Sequence, residues 1–466
     1  MIVMKFGGSS LANAERIRRV ADIVRDQLAR KPALVLSAMG DATDHLLEAA
    51  GMALKDGTVS VSLIEDLHRN AVRELGLENA IGKEGPLKDF DSLFEGLKNL
   101  LVGISLVREL SLRMKDCLVS FGERLSVRIM TAWLESAGVK AAALDAWDAG
   151  IVSDSNFSAA EAAPESRDRI PKALNPLINA GTVPVITGFI AKDKNGTITT
   201  LGRGGSDLSA TIIAAACGAE EAQVWKDVDG ILTADPRVVK NARPVEEVTY
   251  DEAAELAYFG AQVLHPRAML PCMKTGIPVL VKNSFNPLAP GTRIVPSPGV
   301  KPGPVRAITS RKNVTLVDLA STRMLGQYGF LEGVFSAFAR RRISVDMVAT
   351  SEVSVSLTLD AAHDLEELRG ELEKIASVEI KTGKAIVTIV GDVRRSSEIL
   401  ARSFRTCEIL GVPVQMVSQG ASKVNISFIV DDTEAADVVN ALHSDFFDSL
   451  RRVHVPPGEG EDGEKA

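Results

Sequence analysis

Two short glycine-rich segments each carry a fixed positive charge, KFGGSS at 5–10 and TLGRGGSDLSA at 200–210. Glycines at a turn let backbone N–H groups approach an anion without interference from Cβ, and a following helix adds partial positive charge. Lys5 supplies a full charge in the first segment, and Arg203 supplies a planar fork that grips a carboxylate or phosphate in the second. Neither segment has the GxxxxGKS/T or GxGxxG order. They predict anion binding, with an ordinary polar turn as the alternative.

Asp207 stands where the second segment enters an apolar stretch, Leu208–Cys217, that is typical of a helix. A carboxylate at this place either caps the helix or orients Lys5 and a metal–nucleotide. Two independent glycine-rich loops that each follow a predicted strand and precede a predicted helix are hard to attribute to turns alone. The pattern therefore favours an anion site built from both loops.

A third segment, WKDVDGILTADPRVV at 225–239, contains three aspartates. The twelfth position counted from Asp227 is Val238, so the spacing does not fit an EF-hand calcium loop. We interpret the segment as a nucleotide-contacting turn that ends at DPR.

Alternating strand and helix patterns surround these segments over the first 300 residues or so. Apolar runs at 2–6, 33–38, 183–190, 221–228 and 277–283 predict buried strands, and helical periodicity lies between them. Such alternation indicates an α/β sandwich with a mostly parallel sheet. Ligands of these sheets bind at the carboxyl ends of the strands, where the glycine-rich loops stand.

The net charge, the cysteines and the apolar runs of the chain disfavour some classes of binding partner and indicate its location. The chain has 466 residues and a net charge of −8, which disfavours nucleic acid and anionic membranes as partners. Its four cysteines are far apart and read as reduced thiols of a cytoplasmic protein. No stretch is long and apolar enough for a membrane-spanning helix, and the acidic tail at 456–466 is predicted to be disordered.

A proline- and glycine-rich stretch at 286–304 marks the end of a first domain, which we predict to cover 1–298. Beyond it a βαββα pattern occurs twice, as in VSVSLTLD at 353 and VNISFIVD at 424. The predicted repeats cover 314–383 and 384–455. Paired small sheets of this kind bind a metabolite at their interface or serve only in dimerisation.

Six motifs together carry a family resemblance: KFGGSS, SAMGDATDHLL, SFGERLS, TLGRGGSDLSA, WKDVDGILTADPR and YFGAQVLHPRAMLP. In this order and spacing they resemble the aspartate kinases of the amino-acid-kinase family, from Met1 to about Val455. The repeat resembles the paired ACT regulatory domains of those enzymes. The resemblance implies an αβα sandwich followed by two ferredoxin-like ACT domains (α+β). It also implies that the strand at 305–310 pairs with the second copy, so that the first copy is inserted within it.

The implied reaction transfers the γ-phosphoryl group of ATP, carried with Mg²⁺, to the β-carboxylate of L-aspartate. A carboxylate with a pKa of about 4 is already ionised at neutral pH, so no general base is needed. Catalysis then rests on neutralising charge and on in-line positioning. This explains the Lys and Arg of the glycine-rich loops, and it leaves His265 as a structural group. No metal site made by the protein itself is predicted.

Residue roles follow from the resemblance alone. Glu123 is expected to bind the α-ammonium of aspartate and Asp207 to hold Lys5; without the resemblance, Glu123 would read as a helix-surface charge and Thr43 as a helix cap. The catalytic residues implied are Lys5, Arg203 and Asp207. The aspartate-binding residues implied are Ser37, Thr43, Glu123, Arg203, Gly204, Gly205 and Ser206. The ATP-binding residues implied are Lys5, Gly7, Gly8, Ser9, Lys226, Asp227, Leu232, Arg237 and Gln262.

The chain departs from the family pattern in the ATP region. Many members have Thr at the place of Lys226, an aromatic at Leu232 and Lys at Gln262, so Lys226 is expected to replace the charge missing at Gln262. In the second ACT copy the glycine that usually opens the helix is missing, and we expect that copy to support a dimer. A lysine effector is expected at the first copy, near Met324, Gly329, Phe330, Leu331, Val345, Asp346, Thr350 and Ser351.

Three functions stay open at this point. The first is a lysine-inhibited aspartate kinase that acts as a homodimer or dimer of dimers through its ACT domains, at the first step of lysine, threonine and methionine synthesis. The second is the same kinase without lysine inhibition, dedicated to another product such as ectoine. The third is a non-catalytic amino-acid sensor, which Gln262 favours and the intact Lys5, Glu123, Arg203 and Asp207 oppose.

Overall fold

The structure is a computed structural model that describes residues 1–259, 264–297, 303–321, 328–360, 365–419 and 424–448. Gln262, Met324 and the tail at 456–466 lie outside the described residues. Contacts divide the chain into two compact units. The first comprises the described residues of Met1–Ile231, Pro244–Ala257 and Gln262–Gly299, and the second those of Leu232–Arg243, Tyr258–Ala261 and Val300–Ala466.

The first unit is built around an eight-stranded sheet in the order β3-β5-β2-β1-β8-β10-β11-β9. All neighbouring pairs are parallel except β10 with β11, which confirms the predicted, mostly parallel α/β sheet. A separate three-stranded sheet has the order β4-β6-β7. The strands are β1 Ile2–Phe6, β2 Pro32–Leu36, β3 Ala141–Leu144, β4 Val152–Ser153, β5 Val183–Thr187, β6 Ile190–Asp193, β7 Ile198–Thr200, β8 Ala222–Lys226, β9 Glu247–Thr249, β10 Val279–Asn283 and β11 Thr292–Val295.

Helices cover both faces of this sheet. The helices are α1 Ala14–Asp26, α2 Ala42–Lys55, α3 Ser62–Glu74, α4 Phe90–Val107, α5 Leu112–Ser136, α6 Ser166–Asn179, α7 Gly205–Cys217, α8 Tyr250–Phe259 and α9 Pro266–Thr275. Ile2, Met4 and Phe6 of β1 lie in one apolar core with residues of α1 to α5. Side chains alternate along a strand, so Lys5 points to the opposite face, where α7 packs on β1. That geometry directs Lys5 toward the start of α7.

The second unit contains a six-stranded antiparallel sheet in the order β13-β14-β12-β15-β17-β16. Its elements are β12 Val305–Ala320, α10 Phe330–Arg340, β13 Val348–Thr350, β14 Ser354–Asp360, α11 Leu365–Leu372, β15 Ser377–Gly391, α12 Ser396–Leu410, β16 Met416–Ser418, β17 Asn425–Asp431 and α13 Ala435–His443. The two predicted βαββα copies are the two halves of this sheet, joined through the long strands β12 and β15.

The long strand β12 serves both halves of the sheet. Its residues Val314–Ala320 pair with β14, and Val305–Ser310 pair with Val387–Gly391 of β15. A register shift between Arg311 and Val314 separates the two stretches. The segment at 305–310 therefore lies beside the second copy, while the first copy occupies the chain between the two long strands.

The contacts differ in two places from the predicted first domain at 1–298, at Leu232–Arg243 and at the described residues of Tyr258–Ala261. The segment Leu232–Arg243 belongs to the second unit. Ala234 and Val239 of this segment are buried in the same apolar cluster as Ile308 of β12 and Leu442 of α13. Thr233 also forms a buried 2.8 Å hydrogen bond with Nε2 of His443. Because these contacts join residues far apart in sequence, local periodicity gave no sign of them.

Candidate active site

The charged residues of the glycine-rich loops meet at a cavity of about 560 Å³ in the first unit. Parallel strands end at one edge of a sheet, which brings the carboxyl ends of β1 and β2 beside the first turn of α7. Of the predicted site residues, ten line the cavity: Lys5, Gly8, Ser37, Thr43, Glu123, Arg203, Gly204, Gly205, Ser206 and Asp207.

Lys5 and Asp207 form a buried ion pair in the wall of this cavity. Nζ of Lys5 lies 2.6 Å from Oδ1 of Asp207, and Nζ of Lys226, at the end of β8, lies 3.5 Å from Oδ2. The helix begins at Gly205 rather than at Leu208, so Asp207 lies in its first turn. The N-cap position is Gly204, so Asp207 is not the cap residue and the capping alternative does not hold. One carboxylate thus faces two ammonium groups.

Burial and charge act against each other on these groups. Burial alone would raise the pKa of Asp207, but the charges of Lys5 and Lys226 outweigh it and lower that pKa below its ordinary value. For Lys226, burial and the neighbouring Lys5 lower the pKa, and Asp207 opposes them. Two ammonium groups surround one carboxylate, so the cluster has an excess of positive charge. An anionic ligand would relieve the repulsion between the two ammonium groups.

Two glycines allow close approach of the backbone around the cavity. A Cβ on Gly8 would come within 2.9 Å of the carbonyl oxygen of Ala38, so only glycine fits between the first loop and the chain after β2. Gly204 has φ +71° and precedes α7, a left-handed conformation that favours glycine. Gly7 and Ser9 do not line the cavity, and Ser9 is exposed. The backbone carbonyl of Ser9 accepts a 2.6 Å hydrogen bond from Arg16.

Glu123 is buried rather than on the surface of its helix. It lies on α5, is 3% exposed, and its Oε1 accepts a 3.3 Å hydrogen bond from the backbone N–H of Ala38. Its Oε2 is buried without a hydrogen-bond partner among the described residues. Burial raises the pKa of Glu123 to about 8, against the hydrogen bond from Ala38 and the charge of Lys5. A buried carboxylate oxygen without a donor is suited to a ligand that brings its own positive charge.

Thr43 and Arg203 line the cavity from a helix and from a loop, respectively. Thr43 is the second residue of α2, after the N-cap position at Asp41, so it is not the helix cap of the alternative interpretation. Arg203 is exposed on the loop before α7, and its guanidinium has no ion-pair partner within the described part of the chain. Its charge is therefore available to a ligand.

The predicted ATP-binding residues do not all gather at this cavity. Asp227 is exposed just beyond β8 and does not line it. Leu232 and Arg237 belong to the second unit by their contacts. The guanidinium of Arg237 lies 2.7 Å from the carboxylate of Asp235 within its own turn. Gln262 lies outside the described residues.

Several cavity residues were not predicted from the sequence. Asp116 and Lys115 of α5, Ser158, Phe189 and Thr200 all line the cavity. Asp116 stands seven residues before Glu123, a spacing that puts both on one face of a helix, which is the signal that could have found it. Ser158 and Phe189 lie in loops whose sequences carry no motif.

The described residues among those expected to bind an effector lie in the first βαββα copy, which forms one half of the six-stranded sheet. Gly329 has φ +86° and precedes α10, which begins at Phe330. Leu331 is exposed. Val345 packs against the apolar core of this half of the sheet. Asp346 forms an ion pair with Arg311 of β12. Thr350 ends β13, and the hydroxyl of Ser351 lies 2.7 Å from that of Ser354.

His265 has the structural place that was expected for it. It is the N-cap residue of α9, and its Nδ1 accepts a 3.2 Å hydrogen bond from the backbone N–H of Arg267. Within the described ranges, no three His, Cys, Asp or Glu side chains are grouped so that they could hold a metal ion. Every described helix is too short or too polar to cross a bilayer.

Known proteins match the chain over almost its whole length. The amino acid kinase family model matches residues 1–283, and an ACT domain model matches residues 387–446. Aspartokinase 1, chloroplastic, of Arabidopsis thaliana is 48% identical over 98% of this chain and 82% of its own length.

Two crystal structures of E. coli aspartokinase III have a similar fold at 34% identity. The T-state complex with lysine and aspartate has a TM-score of 0.79 and covers 96% of this chain and 99% of its own. The R-state complex with aspartate and ADP has a TM-score of 0.77 and covers 96% of this chain and 100% of its own. With these matches across both units, and with a lysine–aspartate pair beside two glycine-rich loops, the chain belongs to the aspartokinases of the amino acid kinase family.

Proposed function

We propose that the chain transfers the γ-phosphoryl group of ATP to the β-carboxylate of L-aspartate, giving 4-phospho-L-aspartate and ADP. The observation that carries this proposal is that one cavity is lined by Lys5, Asp207 and Glu123, and that the buried Oε2 of Glu123 has no hydrogen-bond partner among the described residues. An amino acid with an acidic side chain presents one ammonium and two carboxylates, which match this pattern of charges.

Glu123 and Arg203 select the amino acid. The α-ammonium of aspartate donates to Oε2 of Glu123, which supplies the missing partner and restores the charged form of the carboxylate. Arg203 binds the α-carboxylate through its planar fork. Ser37, Thr43 and the N–H groups at the start of α7 complete the contacts. The β-carboxylate is then left to face Lys5.

The chemical step requires two anions to meet. The β-carboxylate attacks the γ-phosphorus, the bond from that phosphorus to the bridging oxygen breaks, and ADP leaves with the electron pair of the broken bond. No proton has to be removed, because the attacking carboxylate is ionised. Lys5 neutralises charge on the transferred group, and Asp207 holds Lys5 in place at 2.6 Å.

The nucleotide is bound as its magnesium complex, and Mg²⁺ enters with this substrate. Gly7, Gly8 and Ser9 present the first loop to the phosphates, and Lys226 adds a second cation beside Asp207. Asp227, Leu232, Arg237 and Gln262 are assigned to the rest of the nucleotide by the family pattern. The ADP complex of E. coli aspartokinase III supports ATP as the donor.

Lysine is the proposed feedback effector, bound at the first half of the second unit near Asp346 and Ser351. The lysine complex of E. coli aspartokinase III supports this choice. We also assign this chain a cytoplasmic location and a homodimer or dimer of dimers formed through the ACT sheets. Size-exclusion chromatography with light scattering tests the oligomer.

A hydroxamate assay tests the reaction directly, because hydroxylamine traps an acyl phosphate. The chain is incubated with Mg-ATP and with aspartate, glutamate or acetylglutamate in parallel. We expect hydroxamate and stoichiometric ADP with aspartate, and less than about a tenth of that rate with glutamate, whose extra methylene displaces the carboxylate from Lys5. A chain that yields ADP without hydroxamate, or that prefers acetylglutamate, would refute the assignment.

A further inference from the structure

Asp116 is a buried carboxylate in the cavity wall whose two oxygens together accept four hydrogen bonds. Oδ2 accepts from the backbone N–H of Ser158 at 2.8 Å and from that of Thr200 at 2.9 Å. Oδ1 accepts from the hydroxyls of the same two residues, at 3.1 Å and 2.9 Å. Asp116 is 1% exposed, and all three residues line the cavity. A single side chain therefore connects α5, the loop around Ser158 and the end of β7.

The connected segments lead to the two residues proposed to bind aspartate. Asp116 and Glu123 are seven residues apart on α5, two helical turns, so both project from one face into the cavity. Thr200 is followed after two residues by Gly202, and a Cβ on Gly202 would lie 3.1 Å from the carbonyl oxygen of Ser158. Asp116 thus fixes the loop that precedes Arg203 against the helix that carries Glu123.

Backbone conformation indicates that the loop needs this support. Ser158 has φ +66°, a left-handed conformation that costs a residue with a Cβ about 1 kcal/mol or more. The carboxylate of Asp116 binds both the N–H and the hydroxyl of Ser158, which offsets that cost. Phe189, another cavity residue, also has a positive φ, of 67°. Strained residues in the wall of a ligand cavity are typical of a preorganised site.

From these contacts we infer that Asp116 is a positioning residue for the amino-acid substrate. It sets the distance between Glu123 and Arg203 by holding Ser158 and Thr200, and it does not touch the reacting atoms. This inference rests on the proposed function, because it presupposes that Glu123 and Arg203 bind aspartate. Its contribution lies in geometry rather than charge, since all four of its hydrogen bonds are made to the protein.

The geometry distinguishes two substitutions. In Asp116→Asn the amide oxygen accepts from the two backbone N–H groups, and the amide nitrogen donates to the two hydroxyls, which can rotate to accept. All four contacts then survive without the charge. In Asp116→Ala none survives. Asp193 provides a matched control, because this carboxylate accepts from the hydroxyl of Ser155 at 2.8 Å and from the N–H of Thr197 at 2.8 Å, outside the cavity.

Steady-state kinetics of the full chain test the inference, with KM for aspartate and for ATP measured separately. We expect Asp116→Ala to lower kcat/KM for aspartate about 100-fold, mostly through a KM for aspartate raised about tenfold or more, with KM for ATP changed less than about twofold. We expect Asp116→Asn to stay within about threefold of the parent. Asp193→Ala should lower Tm but leave KM for aspartate within about twofold.

The activity of the unsubstituted chain, the parent, shows whether a negative result concerns the proposed function or the role of Asp116. A parent without aspartate-dependent hydroxamate overturns the proposed function, whatever the variants do. With an active parent, the inference is overturned if Asp116→Ala keeps the KM for aspartate, or if Asp193→Ala raises it equally. Should Asp116→Ala not fold, Thr200→Val removes one hydroxyl contact alone; we expect KM for aspartate to rise about threefold, and no rise would overturn the inference.

Discussion

The ammonium nitrogen of Lys5 lies 2.6 Å from Oδ1 of Asp207, and the two side chains come from different elements, β1 and α7. Both side chains are almost fully buried, so each compensates the charge of the other away from solvent. Lys226 lies beside the same carboxylate at 3.5 Å. A buried pair that keeps one cation in excess is suited to neutralise a phosphoryl group as it moves between two anions.

Replacing Lys5 by methionine should lower kcat about 1000-fold, because the group that neutralises the transferred charge is lost. It also leaves Asp207 with only Lys226, and breaking a buried pair costs about 3–5 kcal/mol of stability unless another cation compensates. The double variant Lys5→Met, Asp207→Asn removes the unpaired charge as well. It should regain Tm without regaining kcat. Recovery of kcat in the double variant would refute the role of Lys5.

Lys226→Gln should raise KM for ATP about tenfold, which corresponds to the loss of about 1.4 kcal/mol of binding. KM for aspartate should change less, since Lys226 lies beside Oδ2 of Asp207, whereas Lys5 lies beside Oδ1. Lys192→Gln is a suitable control, because Lys192 is a half-buried cation that lies 3.9 Å from the ring centre of Trp147, whereas Lys226 lies beside Asp207. Equal effects on ATP from both variants would count against a nucleotide role for Lys226.

The affinity for aspartate should depend on pH through Glu123. Burial raises its pKa to about 8 in the empty site, so the carboxyl is mostly protonated at pH 6 and half ionised near pH 8. Only the ionised form pairs with the substrate ammonium, so KM for aspartate should fall about tenfold or more between pH 6 and pH 8. Glu123→Gln should have a high KM with no such trend. A flat profile in the parent would contradict the assigned role.

Glu123 should also lower the free energy of unfolding at neutral and alkaline pH. The folded carboxyl has a pKa of about 8 against an ordinary 4.5, so the folded chain binds its proton more tightly than the unfolded chain. This contribution to the free energy of unfolding therefore falls as the pH rises from about 4.5 to 8. Glu123→Gln should have a Tm close to the parent at pH 4.5 and about 2–4 °C or more above it at pH 8 by calorimetry. An equal Tm at pH 8 would show that burial of the ionised Glu123 does not lower the free energy of unfolding.

Inhibition by lysine should depend on Asp346, whose carboxylate pairs with Arg311 in this structure. A lysine ammonium would bind the same carboxylate, so Asp346→Ala should raise the lysine concentration for half-inhibition about tenfold or more. Glu352→Ala, at an exposed carboxylate of the same half, is the control and should leave that concentration within about twofold. Titration of activity with lysine up to millimolar concentrations checks both. Inhibition by threonine in place of lysine would redirect the effector assignment.

Much of the kinase unit could be predicted because its signals are local. The parallel sheet follows from apolar runs that alternate with helical periodicity, and the glycines of the two loops indicate close backbone approach before any contact is known. The apolar pattern predicts the start of α7 at Leu208, three residues late, because Gly204 and Gly205 are typical of loops. In the structure Gly204 adopts the left-handed conformation that lets the helix begin at once.

Other features depend on residues that are distant in sequence. The segment Leu232–Arg243 carries a nucleotide motif, yet its apolar residues pack with those of the C-terminal sheet. Asp116 has no motif of its own, and its importance appears only when Ser158 and Thr200 come within hydrogen-bond distance. No periodic pattern of apolar residues in the sequence indicates either of these two long-range relationships.

The sequence by itself determined the element types, the two glycine-rich loops and the family, because each is written in neighbouring residues and their spacing. Tertiary structure alone decided that Asp207 faces Lys5 instead of capping its helix. It also decided that Glu123 is buried, with one oxygen that no donor in the described part of the chain reaches. The physical reason is that burial and charge pairing depend on which elements meet. A side chain's protonation and partners are therefore set by the whole fold and not by its neighbours in the chain.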